Sequence, residues 1–152
     1  MTGPEDPGPA PRSQSPGQTR VSVLVSNRQD LSVDEAGLAG LAERTLEAEG
    51  VDGGELSLSF VGLTEMEELH RRFAGEPGPT DVLSFPIGED GLLGDVIVCP
   101  EEASRNEPDI ASELRLLVVH GVLHLLGYDH QRDPDRRVMW DKQAAYSGVR
   151  LS

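Results

Sequence analysis

Leu114 to His130 reads LRLLVVHGVLHLLGYDH, and this stretch decides the fold. Up to Leu126 apolar residues fall on nearly every face of a helical wheel, which predicts a buried helix from an Asp109 cap to about Leu126. Gly127 suits the position just past a helix end. Three of the four histidines lie here, at His120, His124 and His130. Residues four apart share a helix face, with Cβ atoms ~6 Å apart. Two imidazoles so placed can reach one ion at ~2.0–2.1 Å. The glycine stop lets the chain turn back, so that His130 approaches from the side.

Three neutral imidazoles suit one zinc ion per chain and leave a fourth position for water. Nickel, cobalt and copper accept the same donors. Ordinary core histidines account poorly for the pattern, because an unpaired buried imidazole costs free energy. A closed structural zinc needs a fourth protein ligand, for which Cys99 and Asp129 are the candidates. Zincin proteases place a glutamate directly after the first histidine as general base. Gly121 stands there in this chain, so peptide hydrolysis lacks its base. Glycine also permits close approach to the helix.

Outward from this helix, strands and helices alternate. Val21–Val25 is β-branched and reads as a strand. Ser32 with Glu35 forms a capping box for a helix carrying Leu38, Leu41, Ala42 and Leu46, which stops near Gly50. ELSLSFV, residues 55–61, alternates and predicts a second strand. A short helix from Thr64 to about Phe73 follows, then a loop at Gly75–Pro79. Asp81–Phe85 and Leu93–Cys99 flank Glu89-Asp90-Gly91 and predict a hairpin. A short helix follows Pro100, and a last one spans about Pro134 to Ala145. The order implies an α+β fold: a small mixed four-stranded sheet packed against about five helices, with a zincin-like metal helix. Residues 1–19 are rich in Pro, Gly and Ser and predict a disordered tail; residues 20–152 predict a single domain.

The charge balance is 13 basic against 27 acidic side chains, a formal −14. Such a chain is soluble and repels polyanions at long range, which argues against nonspecific nucleic-acid binding but permits a local basic patch. Lys142 is the only lysine; the arginine bias suits phosphate recognition, but the composition of the coding sequence is the readier account of it. Arg132, Arg136 and Arg137 follow the histidine loop but neighbour Asp133 and Asp135, which favours a solvated, salt-bridged surface. The N-terminus has no secretory pattern, no apolar run spans a membrane, and one cysteine fits a reducing compartment. A cytoplasmic protein without a membrane or DNA partner is expected.

The histidine stretch resembles the signature of the YbeY family, bacterial rRNA maturation factors and metal-dependent endoribonucleases. Two further blocks share the resemblance: Pro79-Thr80-Asp81-Val82-Leu83-Ser84-Phe85-Pro86 and Leu93-Gly94-Asp95-Val96-Ile97-Val98. They occur in the family's order, and the likeness covers about residues 21–147. It implies zinc on His120, His124 and His130 and cleavage of single-stranded RNA. It also implies a part in maturing the 3′ end of small-subunit rRNA and in ribosome quality control, with the small subunit and its proteins as partners.

One position departs from the family. Many members carry an arginine after the aromatic residue that precedes the second block; here Phe73 is followed by Ala74. Arg71 and Arg72 are the candidates for the missing cation and for RNA contact, against the alternative of a solvated helix face. Asp129 either orients a ligand imidazole or caps the turn after Gly127. Hydrolysis of RNA phosphodiesters is the leading function. A ribosome assembly factor whose metal only fixes the fold is the alternative, and a protease-like hydrolase ranks behind it.

Overall fold

The computed structural model describes residues 20–74, 80–128 and 135–149. The tail at 1–19, the loop at 75–79 and the segment 129–134, which holds Asp129, His130 and Arg132, lie outside them. Strand β1 (Val21–Arg28) leads to α1 (Glu35–Ala48), β2 (Gly54–Val61) and α2 (Leu63–Ala74). Then come β3 (Val82–Glu89), β4 (Leu92–Val98), α3 (Pro100–Asn106), α4 (Ile110–Leu125) and α5 (Asp135–Ser147). The sheet order is β1-β2-β4-β3. β1 and β4 both run parallel to β2, and β3 runs antiparallel to β4. This is the expected mixed sheet with five helices among the described residues.

Alternation along the strands sorts side chains onto two faces. Val21 on β1, Leu56, Leu58 and Phe60 on β2, and Val96 and Val98 on β4 meet α1, α4 and α5 in the main core. Val119 and Leu123 of α4 are fully buried there, as their all-round apolar setting predicts. On the opposite face Val61, Met66, Ile97 and Cys99 form a smaller cluster with Leu69, Leu83 and Phe85. No described helix is long and apolar enough to cross a membrane.

Several boundaries differ from expectation. The cap of α1 is Asp34, not Ser32: its carboxylate accepts from the Gly37 amide at 3.0 Å. Gly37 leaves room for this carboxylate: a Cβ there would lie 2.2 Å from Asp34 Oδ2 and would make it shift. β1 continues to Arg28 because it pairs with β2 as far as Val61. β3 continues through Pro86, which an edge strand tolerates because its missing N–H removes no bond from a central ladder. The hairpin turns at Asp90 and Gly91, with φ of +57° and +75°.

Candidate metal centre

Helix α4 is closed at both ends by its own sequence. Asp109 accepts from the Ser112 amide (3.3 Å) and hydroxyl (2.8 Å). At the other end Gly127 takes φ +104°. The Gly127 amide donates to the His124 carbonyl (3.0 Å) and the Tyr128 amide to the Leu123 carbonyl (3.1 Å). These two bonds make a Schellman cap. The turn that carries His124 is therefore fixed in the backbone.

His120 and His124 project from one face of this helix, both half-buried. Their ring centroids are 5.0 Å apart with planes tilted by 57°. The Nδ1 atom of His120 lies 2.5 Å from Oε1 of Gln143 on α5, whose side chain is buried. Two imidazoles side by side, one with its Nδ1 already engaged, offer the nitrogen donors that a first-row divalent ion takes. The residues present fit such an ion. Among the described residues no group of three or more His, Cys, Asp or Glu side chains converges. The third expected ligand, His130, and Asp129 lie outside the described residues.

Gly121 has a visible purpose in the packing. A Cβ there would lie 2.6 Å from Val96 Cγ1 and 3.3 Å from both Val82 Cγ2 and Ser84 Oγ. Ser84 Oγ donates to the Gly121 carbonyl at 2.8 Å. The position is thus occupied by contact with β3 and β4, and it brings α4 up to the edge strand.

Arg71 and Arg72 stand on the last turn of α2, on the other side of β3. Phe85 faces that side and meets the Phe73 ring at 5.2 Å, while its neighbour Ser84 faces α4. The arginines and the imidazoles therefore flank one edge strand from opposite faces and do not form one cluster. Both arginines are exposed, and both pair with Glu68, Arg72 at 3.6 Å. Arg72 also lies 5.7 Å from the Phe73 ring centre. Arg137 is exposed at the start of α5.

Cys99 is not near the histidines. It is buried in the α2-side cluster, and burial pushes its thiol above the ordinary range. This removes it as the fourth ligand of a closed zinc site. Asp81, from the second motif block, is half-buried, and its carbonyl accepts from the Cys99 amide at 2.9 Å, closing the end of the sheet. Burial raises its carboxyl above the usual range, against bonds from its own amide, Asn106 and Val82.

Sequence reasoning missed two partners of the site. Gln143 is one. The other is Glu49, just past α1, whose carboxylate accepts from Tyr128 (2.5 Å), Lys142 (2.9 Å) and Tyr146. Burial pushes Glu49 up, but these three bonds outweigh it and hold the carboxyl below its ordinary value. The same bonds raise both tyrosines and Lys142. Tyr128 immediately follows the glycine stop, so this hub holds the chain where it leaves α4.

A family model described as Endoribonuclease YbeY matches residues 24–148. An endoribonuclease YbeY of Beutenbergia cavernae is 43% identical over 139 residues, covering 81% of this chain and 93% of the relative. That of Streptomyces coelicolor is 39% identical over 144 residues, covering 82% and 87%. The solution structure of TM1509 from Thermotoga maritima matches with a TM-score of 0.55 at 31% identity, over 82% of this chain and 86% of that one. With the histidine helix, the motif strands and nearly the whole domain matched, the chain belongs to the endoribonuclease YbeY family.

Proposed function

We propose that this chain carries out its family's reaction, endoribonucleolytic processing of rRNA, with one divalent ion held by His120, His124 and His130. The family brings the enzyme class, the rRNA role and the single metal ion. Zinc is the ion we assign, because a neutral nitrogen donor set with a site open to substrate is its usual catalytic setting. The observation that carries the reading is the tilted pair of half-buried imidazoles on α4, 5.0 Å apart. When bound, the ion supplies polarisation of a phosphoryl oxygen and a water of lowered pKa.

The chain's own residues divide the remaining work. His120 and His124 hold the ion from one helix face. Gly121 contributes no proton transfer, having no side chain, and instead seats α4 against β3. Arg71 and Arg72 take phosphates of a strand crossing the edge of β3, and Asp129 orients a ligand imidazole. Single-stranded rRNA, at the 3′ end of the small-subunit species, is the substrate. The net charge of −14 suits docking on basic ribosomal proteins of the small subunit. The protein works in the cytoplasm.

The test is cleavage of labelled single-stranded rRNA by wild type and His120→Ala, purified side by side and assayed for metal. Wild type should carry close to one ion per chain and cut; the variant should lose both properties. Equal cleavage by the two would refute the site, and cleavage by neither would favour the assembly-factor reading. Wild type prepared without chelator and free of metal would refute the metal.

A further inference from the structure

We infer that Gln143 is a positioning residue for the metal: it sets the tautomer and the orientation of His120. The inference rests on His120 being a metal ligand. The Gln143 side chain is 4% exposed and sits on α5, one turn beyond the fully buried Met139. A leucine would fill that place without the cost of desolvating an amide. Instead the amide oxygen lies 2.5 Å from His120 Nδ1.

An amide oxygen only accepts, so the nitrogen it faces carries the proton. A neutral imidazole has one N–H. Placing it on Nδ1 leaves the lone pair on Nε2, the nitrogen at the far side of the ring from α5. His120 thereby presents one defined donor atom in one ring orientation. The opposite amide orientation would aim the NH2 group at Nδ1 and leave the proton on Nε2, where it blocks coordination.

The glutamine is itself held. Ser147 Oγ donates to the Gln143 backbone carbonyl, and Arg115 of α4 donates to the Ser147 carbonyl. One turn of α5 is therefore tied to α4 beside the amide. Metal-ligating histidines commonly donate their second N–H to such a fixed acceptor, which raises ligand basicity and fixes the ring.

The experiment uses the full chain and zinc alone. Zinc affinity is measured by competition with a chromophoric chelator for wild type, Gln143→Leu, Gln143→Glu and His120→Ala. The His120 tautomer is read from long-range ¹H–¹⁵N spectra of the metal-free protein. Gln143→Leu should bind zinc about 10- to 100-fold more weakly and shift His120 toward the Nε2–H form. Gln143→Glu, which keeps an acceptor, should restore affinity to wild type or better. Wild-type affinity in Gln143→Leu overturns the inference, as does an Nε2–H tautomer in wild type. If the leucine variant does not fold, the wild-type tautomer and the glutamate variant decide the matter alone. Full zinc affinity in His120→Ala overturns the underlying site instead, and this arm separates the two failures.

Discussion

Replacing Gly121 by alanine tests how closely the histidine helix must approach the sheet. Two effects oppose each other. Alanine in a helix interior is favoured over glycine by ~1 kcal/mol. Against this, the new Cβ would lie 2.6 Å from Val96 Cγ1, with Val82 Cγ2 and Ser84 Oγ at 3.3 Å. Val96 is fully buried and lies on β4, between β2 and β3 in the sheet, so it has no free direction in which to yield. Overpacking of this kind costs ~1–3 kcal/mol, so Gly121→Ala should destabilise by about 1 kcal/mol net. Gly40 on α1 is the internal control. Its Cβ would meet only Arg44 Nη1, at 3.2 Å, the end of an exposed and flexible side chain. Gly40→Ala should therefore stabilise by ~0.5–1 kcal/mol. Urea unfolding of the metal-free protein reads both variants, and Tm should move by about 3–5 °C per kcal/mol for a domain of this size. If Gly121→Ala gains as much as Gly40→Ala, the close approach has no energetic weight and the packing argument fails.

Three further outcomes are expected. Glu49, held below its ordinary pKa by Tyr128, Tyr146 and Lys142 against the upward push of burial, contributes stability above the ordinary carboxylate range. That contribution is lost as pH falls through the lowered folded value, so Glu49→Gln should flatten the acid limb of a stability–pH curve; an unchanged limb would remove the hub from the account. Because Glu68 pairs with both Arg71 and Arg72, Glu68→Gln should strengthen binding of single-stranded RNA a few-fold. The double variant Arg71→Ala/Arg72→Ala should weaken binding, flatten its salt dependence and leave metal content intact. RNA affinity that ignores all three substitutions would take the end of α2 out of the substrate path.

The parts of the fold that sequence made legible are those governed by local spacing. His120 and His124 lie four apart on a helix whose Asp109 cap and Gly127 stop are encoded within a few residues, and both ends stand where the pattern puts them. The hairpin at Asp90-Gly91 is equally local. Reading failed where a distant partner decides. Gln143 reads as an ordinary glutamine on a polar helix; its inward aim comes only from α5 packing on α4, 23 residues away in sequence. Its placement four residues after the apolar Met139 was the available signal. Glu49 reads as a solvated glutamate at a helix end, yet its partners Tyr128 and Tyr146 lie 79 and 97 residues on. The Glu68 pairing of Arg71 and Arg72 is local, at i+3 and i+4, and is legible in the spacing.

Glu49, Tyr128 and Gln143 bear on one question: what an ion-binding site on a helix end requires. The two proposed ligands on successive turns of α4, His120 and His124, are held in place because the helix is buried along most of its length. The proposed third ligand, His130, comes after the helix stops, so its reach depends on the direction of the chain at Tyr128. That direction is fixed three times over. Gly127 adopts a φ of +104° that favours glycine. The Schellman bonds tie Gly127 and Tyr128 back onto the last turn. The Tyr128 hydroxyl is bound to Glu49, which Lys142 and Tyr146 also hold. Lys142 and Gln143 are adjacent on α5, one bound to the hub and the other to His120. A single helix thus braces both the last turn's exit and the first imidazole, which is the arrangement expected if residues on either side of the glycine stop hold one ion together.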